Sequence, residues 1–433
     1  MRSVGLYTLG CKVSQYETEA IGEAFERVGF KVMPFDTPCD AYVINTCTVT
    51  AESDRKSRQI IRRAIAKNPS AVVAVVGCYS QRAPKELLKI DGVDIVMGTD
   101  KKLDVVDRVR FLMDNPSEKP VSLVTSLDEV GFEPMCVEKA SRTRAYVKIE
   151  DGCESKCTYC AISPARGKVR SKLPEDVIRE VEALYKNGTK EIVLTGIETG
   201  SYGKDFDYEY DLADLIVELD RRGSCERVRL GSLAPELIGK RFVDKVKNAK
   251  ILAPHFHLSI QSGSDNVLRS MKRRYSRAMA LENIKYIKEN IPGACFTTDL
   301  MVGFPKESEE DFLDTVSFVR EVGFIDAHVF AYSRRAGTPA ASYDGQIPEN
   351  VKKERSSRLI AVKNEVRDTV LDGIVKTGDN LSVILETYDG EFYTAHSDGF
   401  AEVKVKAEAG LSGEMFTVIP VSYEDGIILA KPI

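Results

Sequence analysis

Three cysteines stand at C-x3-C-x2-C spacing in Cys153-Glu-Ser-Lys-Cys157-Thr-Tyr-Cys160, directly after the apolar run Ala145-Tyr-Val-Lys-Ile149. Three thiolates closing on one site suit a cubane iron–sulfur cluster that keeps one iron open for chemistry. Structural zinc wants four protein ligands, and the nearest histidine in the sequence is His255. Disulfide or buried apolar cysteine explains the spacing less well.

Three further cysteines, Cys11, Cys47 and Cys78, each follow a strand-like run closely: Ser3-Leu9, Ala41-Asn45 and Ala71-Val76. With Val93-Met97 these runs alternate with helical spacing over residues 1-135, the pattern of a doubly wound parallel α/β unit. Ligands of such sheets bind beyond the carboxyl ends of the strands, so the three thiols should meet along one edge. The alternative, three unrelated core cysteines, stays open. Cys39 precedes its strand and is expected at the opposite edge. Residues 114-141, rich in Pro and turn formers, read as linker, and Cys136 lies within it.

A second alternation runs over 140-370. Strands are expected near 145-149, 191-195, 227-231, 255-260, 295-302 and 326-332, each trailed by a helix, which implies a partial (β/α)6 barrel with its active site at the C-terminal mouth. Gly196-Ile-Glu198, Gln261-Ser-Gly263, Gly303-Phe-Pro305 and Tyr332-Ser333 end strands and should converge there with the cysteine loop. His255 and His257 sit at a strand start and are expected to pack or hydrogen-bond. Over 371-433 short alternating runs separated by Gly-containing turns predict a small antiparallel β-barrel.

At 433 residues, 43% apolar and 29% charged, the chain has room for two or three domains and the composition of a globular protein. No run is long enough to cross a bilayer and the N-terminus leads straight into a strand pattern, so a cytoplasmic protein with reduced thiols is expected. Net charge is -5, yet residues 371-433 hold 4 Lys and Arg against 11 Asp and Glu, leaving the rest slightly basic. Basic clusters lie at Arg55, Lys56, Arg58, Arg62, Arg63 and Lys67, at Arg166 to Lys172, and at Arg269 to Arg277. The first follows the Cys47 loop and could position RNA through phosphates.

The 153–160 octapeptide resembles the signature of radical S-adenosylmethionine (SAM) enzymes. Thr8-Leu-Gly-Cys-Lys-Val-Ser-Gln15, Asn45-Thr-Cys-Thr-Val-Thr50, Gly196-Ile-Glu-Thr-Gly-Ser-Tyr-Gly203, His255-Phe-His-Leu-Ser-Ile-Gln-Ser-Gly-Ser-Asp265, Thr298-Asp-Leu-Met-Val-Gly-Phe-Pro305 and Tyr332-Ser-Arg-Arg-Ala-Gly-Thr338 are similar, in order, to those of the methylthiotransferases, most like the branch acting on N6-threonylcarbamoyladenosine in tRNA. Ser14 replaces the usual Asn, and Lys306 the Gly that usually follows Gly-Phe-Pro.

The resemblance implies two [4Fe-4S] clusters, on Cys153, Cys157 and Cys160 and on Cys11, Cys47 and Cys78. One SAM would be a methyl donor and another a radical source, converting the adenosine at position 37 to its 2-methylthio form. It also places Tyr159 near the adenine of SAM, Gly196 and Glu198 near its amino group, Gln261 and Ser262 near the ribose, and Gly303, Phe330 and Tyr332 toward the sulfonium and adenine. The C-terminal barrel resembles the TRAM domain, although its acidity argues against phosphate binding. Implied partners are the tRNA anticodon stem-loop, with Arg55, Arg58, Arg62 and Arg63 as contacts, and an external one-electron donor such as flavodoxin. The alternatives are methylthiolation of isopentenyladenosine in tRNA or of a ribosomal-protein aspartate and, from another class, a two-cluster electron carrier.

Overall fold

In a computed structural model, described for residues 1–118 and 120–433, the chain builds three bodies. Lys119, inside the expected linker, lies outside the described residues. The first body is a six-stranded parallel sheet of β1 (Ser3–Thr8), β2 (Lys31–Met33), β3 (Ala41–Thr46), β4 (Val72–Gly77), β5 (Ile95–Met97) and β6 (Val121–Leu123) in the order β2-β1-β3-β4-β5-β6. Every residue of β3 is buried, as a central strand covered on both faces requires. The flanking strands β2 and β6 are three residues each and partly exposed, so neither carries an apolar run that sequence could reveal. β6 lies in the stretch expected as linker, and Met135 and Val137 from that stretch are fully buried against the second body.

The second body carries β7 (Arg144–Lys148), the two-residue strands β8 (Glu150–Asp151) and β9 (Arg170–Ser171), β10 (Glu191–Thr195), β11 (Arg227–Leu230), β12 (Ser232–Leu233), β13 (His255–Gln261), β14 (Cys295–Val302) and β15 (Asp326–Ala331). Its parallel strands form two arcs, β11-β10-β7 and β12-β13-β14-β15, with helices outside. Those helices start where their capping residues dictate. Asp211 and Asp214 form a reciprocal cap at Leu212–Arg222, and Ser308 and Asp311 do so at Glu309–Val322, each satisfying free backbone N–H groups of a first turn.

The third body is a closed barrel of β16 (Leu381–Tyr388), β17 (Phe392–Ser397), β18 (Glu402–Lys406), β19 (Met415–Glu424) and β20 (Ile427–Pro432). Its pairings are antiparallel except that β18 runs parallel to β20, because closure brings the third and last strands together. It is reached through the helix Glu349–Thr377 and seats against the strand starts of the second body. There Arg227 donates to Ser382 and Arg229 to the carbonyls of Ser397 and Asp398. Phe400 stacks on His255, ring centroids 4.4 Å apart. Among the described residues no helix is long and apolar enough to cross a membrane.

Candidate active site

The loop carrying Cys153, Cys157 and Cys160 leaves the C-terminal side of β7 and β8 and is pinned at both ends. Cys153 N–H donates to the Gly167 carbonyl at 3.0 Å, and Thr158 N–H to that of Met271 at 3.1 Å. Ile162 N–H points at Cys160 Sγ from 3.3 Å and Arg273 Nη1 at Cys157 Sγ from 3.5 Å, donors suited to a sulfur carrying negative charge. Burial pushes the Cys160 thiol up to about 11 and raises that of Cys153, and the charges of neighbouring thiols add to both. Partly buried thiols gathered in one loop, two of them with raised proton affinity, favour a positive centre, and an iron–sulfur cluster fits that donor set. Among the described residues no group of three or more Cys, His, Asp or Glu side chains is already arranged to hold a metal ion.

Around the thiols stand groups from several strand ends. Tyr159 meets Phe304 edge-on at 6.5 Å, Phe304 meets Tyr332 at 5.4 Å, and Phe330 packs on the same apolar patch. The buried Tyr332 hydroxyl has no hydrogen-bond partner among the described residues, the kind of orphan a bound ligand could satisfy. Glu198 accepts from Ala234 N–H at 2.9 Å, and burial pushes its carboxyl up to about 7. Gly196 lies so close to the Glu150 carboxylate that a Cβ there would collide with it, and Glu150 in turn accepts from Glu198 N–H. Gly303, at φ 72°, donates to Glu307, and any side chain there would strike Lys352.

Gln261 holds a positive φ of 64° at the irregular end of β13. The Ser262 hydroxyl is committed to Thr315 and to Ser264 N–H, so it braces a helix start. The charges of Cys157 and Cys160 bear on Tyr159, and that of Arg273 on both Tyr159 and Glu198. Arg273 was legible only as one of a basic run. Its single distinguishing feature, burial, has no signature in sequence.

Cys11, Cys47 and Cys78 follow β1, β3 and β4, which are neighbours in the first sheet. Gly10 has φ 127°, and a Cβ on it would stand 3.2 Å from Cys47 Cβ, so the first two loops touch. Cys11 is exposed, whereas Cys47 and Cys78 are buried. Burial pushes the Cys47 thiol up to about 11, and the charges of Cys78 and Cys11 add to it. Cys39, by contrast, is turned to the Thr37 carbonyl at the start of β3.

The helix Ile162–Arg166, which leaves the 153–160 loop, packs on Cys78–Arg82. Its last residue joins the two thiol groups. Arg166 donates from Nε to Cys78 Sγ at 3.2 Å, from Nη1 to Glu17 at 2.6 Å and to Asp151 at 3.0 Å. Lys102 and Lys148 complete this fully buried network. Burial alone would raise Glu17, but Arg166, Lys102 and Lys148 hold it well below the usual carboxylate range. Arg335 reaches across in the same way to the Thr48 carbonyl and Asp54.

The basic helix Ala51–Lys67 follows Cys47. Arg55 pairs with Glu52, Arg63 with Asp36, and Arg58 donates to the Tyr79 hydroxyl at 2.7 Å, while Arg62 is exposed. Exposed pairs of this kind are weak enough to exchange a carboxylate for a phosphate.

Comparison with known proteins gives the arrangement its relatives. Residues 147–319 match the model of the Radical SAM superfamily and residues 3–98 that of Uncharacterized protein family UPF0004. The chain is 40% identical over 432 residues to the threonylcarbamoyladenosine tRNA methylthiotransferase MtaB of Bacillus subtilis (strain 168), covering 96% of this chain and 93% of that one. It is 38% identical to the protein of that name from Aquifex aeolicus (strain VF5), covering 81% and 85%. The tRNA-2-methylthio-N(6)-dimethylallyladenosine synthase of Bacillus mycoides (strain KBAB4) is 36% identical, covering 84% and 72%. Among solved structures, the radical S-adenosylmethionine methyltransferase TsrM from Kitasatospora setae superposes with TM-score 0.58 at 16% identity, covering 78% of this chain and 77% of that one.

Proposed function

Since this chain belongs to the radical SAM tRNA methylthiotransferases, enzymes that use SAM and a [4Fe-4S] cluster, we propose that it replaces the C2 hydrogen of N6-threonylcarbamoyladenosine at tRNA position 37 by a methylthio group. In this reading Cys153, Cys157 and Cys160 hold the cluster that binds SAM, and Cys11, Cys47 and Cys78 hold a second [4Fe-4S] cluster at the sulfur-delivery side. One SAM serves as methyl donor and one as radical source, with the electron supplied by an external donor such as flavodoxin. Reductive cleavage of SAM supplies a radical able to remove hydrogen from an unactivated carbon, chemistry that belongs to the cofactor. Residues 1–135, 140–370 and 371–433 are the corresponding domains, and the cytoplasm, where tRNA is found, is the expected compartment.

The residues contribute placement and exclusion of water. Tyr159, Phe330 and Tyr332 form the apolar wall against which the adenine would lie, and the free Tyr332 hydroxyl offers it a hydrogen bond. The Glu198 carboxyl, pushed up to about 7 by burial, and the Gly196 backbone would hold the amino end of SAM. Gln261, Ser262 and Gly303 shape the ribose and sulfonium side. The observation that carries the reading is Arg166, one buried side chain touching Cys78 while its own helix anchors the loop of Cys153. Two thiol trios so linked suit a reaction that needs a radical generator and a sulfur donor at one cavity.

The test is nucleoside mass spectrometry of tRNA from cells with and without the gene. Loss of the 2-methylthio form with accumulation of N6-threonylcarbamoyladenosine is expected. Loss of the dimethylallyl counterpart instead would overturn the substrate, and an unchanged nucleoside profile the function.

A further inference from the structure

Three guanidiniums share one carboxylate at the floor of the barrel. Arg144, Arg227 and Arg229 lie 3.2, 3.1 and 2.9 Å from the fully buried Glu191. Arg144 has a second partner in Glu386, itself engaged by His396 at 2.8 Å.

Lys12 brings a further cation to this side of the barrel, because its helix packs against β7, the strand that begins with Arg144. It is the first residue of the helix Lys12–Arg27, beside Cys11, and the charges acting on its ammonium are those of Arg229, Arg144, Asp299 and Cys11. Gln15, three residues on and therefore on the same helix face, sits against Arg142 just before β7. Asp299 is the nearby carboxylate, and it already faces His257 at 3.4 Å and His328 at 3.5 Å. Among the described residues Lys12 takes part in no ion pair within 4.0 Å.

A partly buried ammonium that makes no ion pair among the described residues is costly unless a ligand brings the missing charge. The two kinds of N6 substituent differ in just this respect. A threonylcarbamoyl group ends in a carboxylate, whereas a dimethylallyl group is an uncharged hydrocarbon. We propose that Lys12, backed by Arg229 and Arg144, receives the carboxylate of the substrate's threonylcarbamoyl group and thereby holds the base beside Cys11. The inference rests on the substrate reading above and names the residue that would enforce it. An RNA phosphate could satisfy the same cation, so the experiment has to separate the two.

Anticodon stem-loops of one sequence, carrying adenosine, N6-threonylcarbamoyladenosine or N6-dimethylallyladenosine at position 37, are titrated against the reconstituted wild-type, Lys12→Met and Lys12→Arg proteins at matched iron content. Binding is read by fluorescence anisotropy. A charge-assisted contact predicts that wild type prefers the threonylcarbamoyl loop over the plain one by about ten- to a hundredfold. Lys12→Met should erase that preference while binding the plain loop as before, and Lys12→Arg should keep part of it. Equal weakening of all three loops would reveal a phosphate contact or damaged folding, and an undiminished preference would show the carboxylate bound elsewhere. Either result overturns the role of Lys12. Should wild type itself methylthiolate the dimethylallyl loop and not the threonylcarbamoyl loop, the substrate reading fails first.

Discussion

The two thiol trios, to which the proposed function gives similar chemistry, are assembled by opposite routes. Cys153, Cys157 and Cys160 lie in one loop, fixed by its own turns and by Met271 and Gly167. Cys11, Cys47 and Cys78 come from three loops, and only the neighbouring positions of β1, β3 and β4 bring them together. The first trio is a local property of eight residues; the second is a property of the fold. Their settings differ accordingly. The loop trio faces Arg273 and an aromatic wall, whereas Cys78 faces Arg166 within a buried net of charges. A perturbation of the fold should therefore reach the second trio before the first.

The largest expected effect comes from deleting one thiol from each. Cys157→Ala should abolish both 5'-deoxyadenosine formation and methylthiolation, while Cys47→Ala should abolish methylthiolation and leave 5'-deoxyadenosine formation. Chromatography of both products on reduced, reconstituted protein decides it. Full methylthio transfer by Cys47→Ala would break the assignment of the second trio.

Next in size is Arg166→Met. It strands Glu17 and Asp151 as buried carboxylates with fewer partners, a change that costs about 3–5 kcal/mol. A lowered thermal midpoint and reduced iron content, falling on the share bound by Cys11, Cys47 and Cys78, are expected. Arg273→Met should act on the other trio, slowing 5'-deoxyadenosine formation by about ten- to a hundredfold with iron content retained. Identical iron loss in the two variants would erase the contrast between the sites.

What sequence could and could not show follows from the same difference. The C-x3-C-x2-C spacing names its own chemistry, and the strand–helix alternation placed β7, β10, β11, β13, β14 and β15 to within about two residues because each carries apolar residues in a run or in alternation and is closed by Gly or polar residues. The edge strands β2 and β6 escaped because three partly exposed residues carry no period. Arg166 and Arg273 were visible only as members of basic runs, and Lys12 only as a residue of the motif around Cys11. A buried arginine and a solvated one look alike until tertiary packing supplies the partner, as Cys78 and Glu17 do for Arg166.

A smaller effect tests the floor of the barrel, where Glu191 pairs with three arginines and with no cysteine of either trio. Burial would raise Glu191, but Arg229, Arg144 and Arg227 hold it down to about 2. A carboxylate depressed in the folded state stabilises above its unfolded value of about 4.3, and that stabilisation is lost as pH falls toward 2. Each tenfold change in proton affinity is worth about 1.4 kcal/mol, so roughly 3 kcal/mol should disappear over this window, loosening the seat of the C-terminal barrel. Thermal midpoints recorded from pH 5 to pH 2.5 should fall less steeply in Glu191→Gln than in wild type. Parallel curves would remove Glu191 as the source.

The smallest expected effect concerns the helix behind Cys47. Arg62 is exposed and, among the described residues, Arg58 hydrogen-bonds only to a hydroxyl, so both can turn to a phosphate without breaking an ion pair there. Arg55 and Arg63 must first leave Glu52 and Asp36. Salt dependence of tRNA binding should therefore lose about one unit of log–log slope for Arg62→Ala and less for Arg55→Ala. Because this helix starts beside the Cys47 loop and not beside Cys157, either substitution should lower methylthiolation at limiting tRNA while 5'-deoxyadenosine formation without tRNA stays constant. An equal fall in both rates would mean that the helix supports the whole fold and does not hold RNA at the sulfur-delivery side.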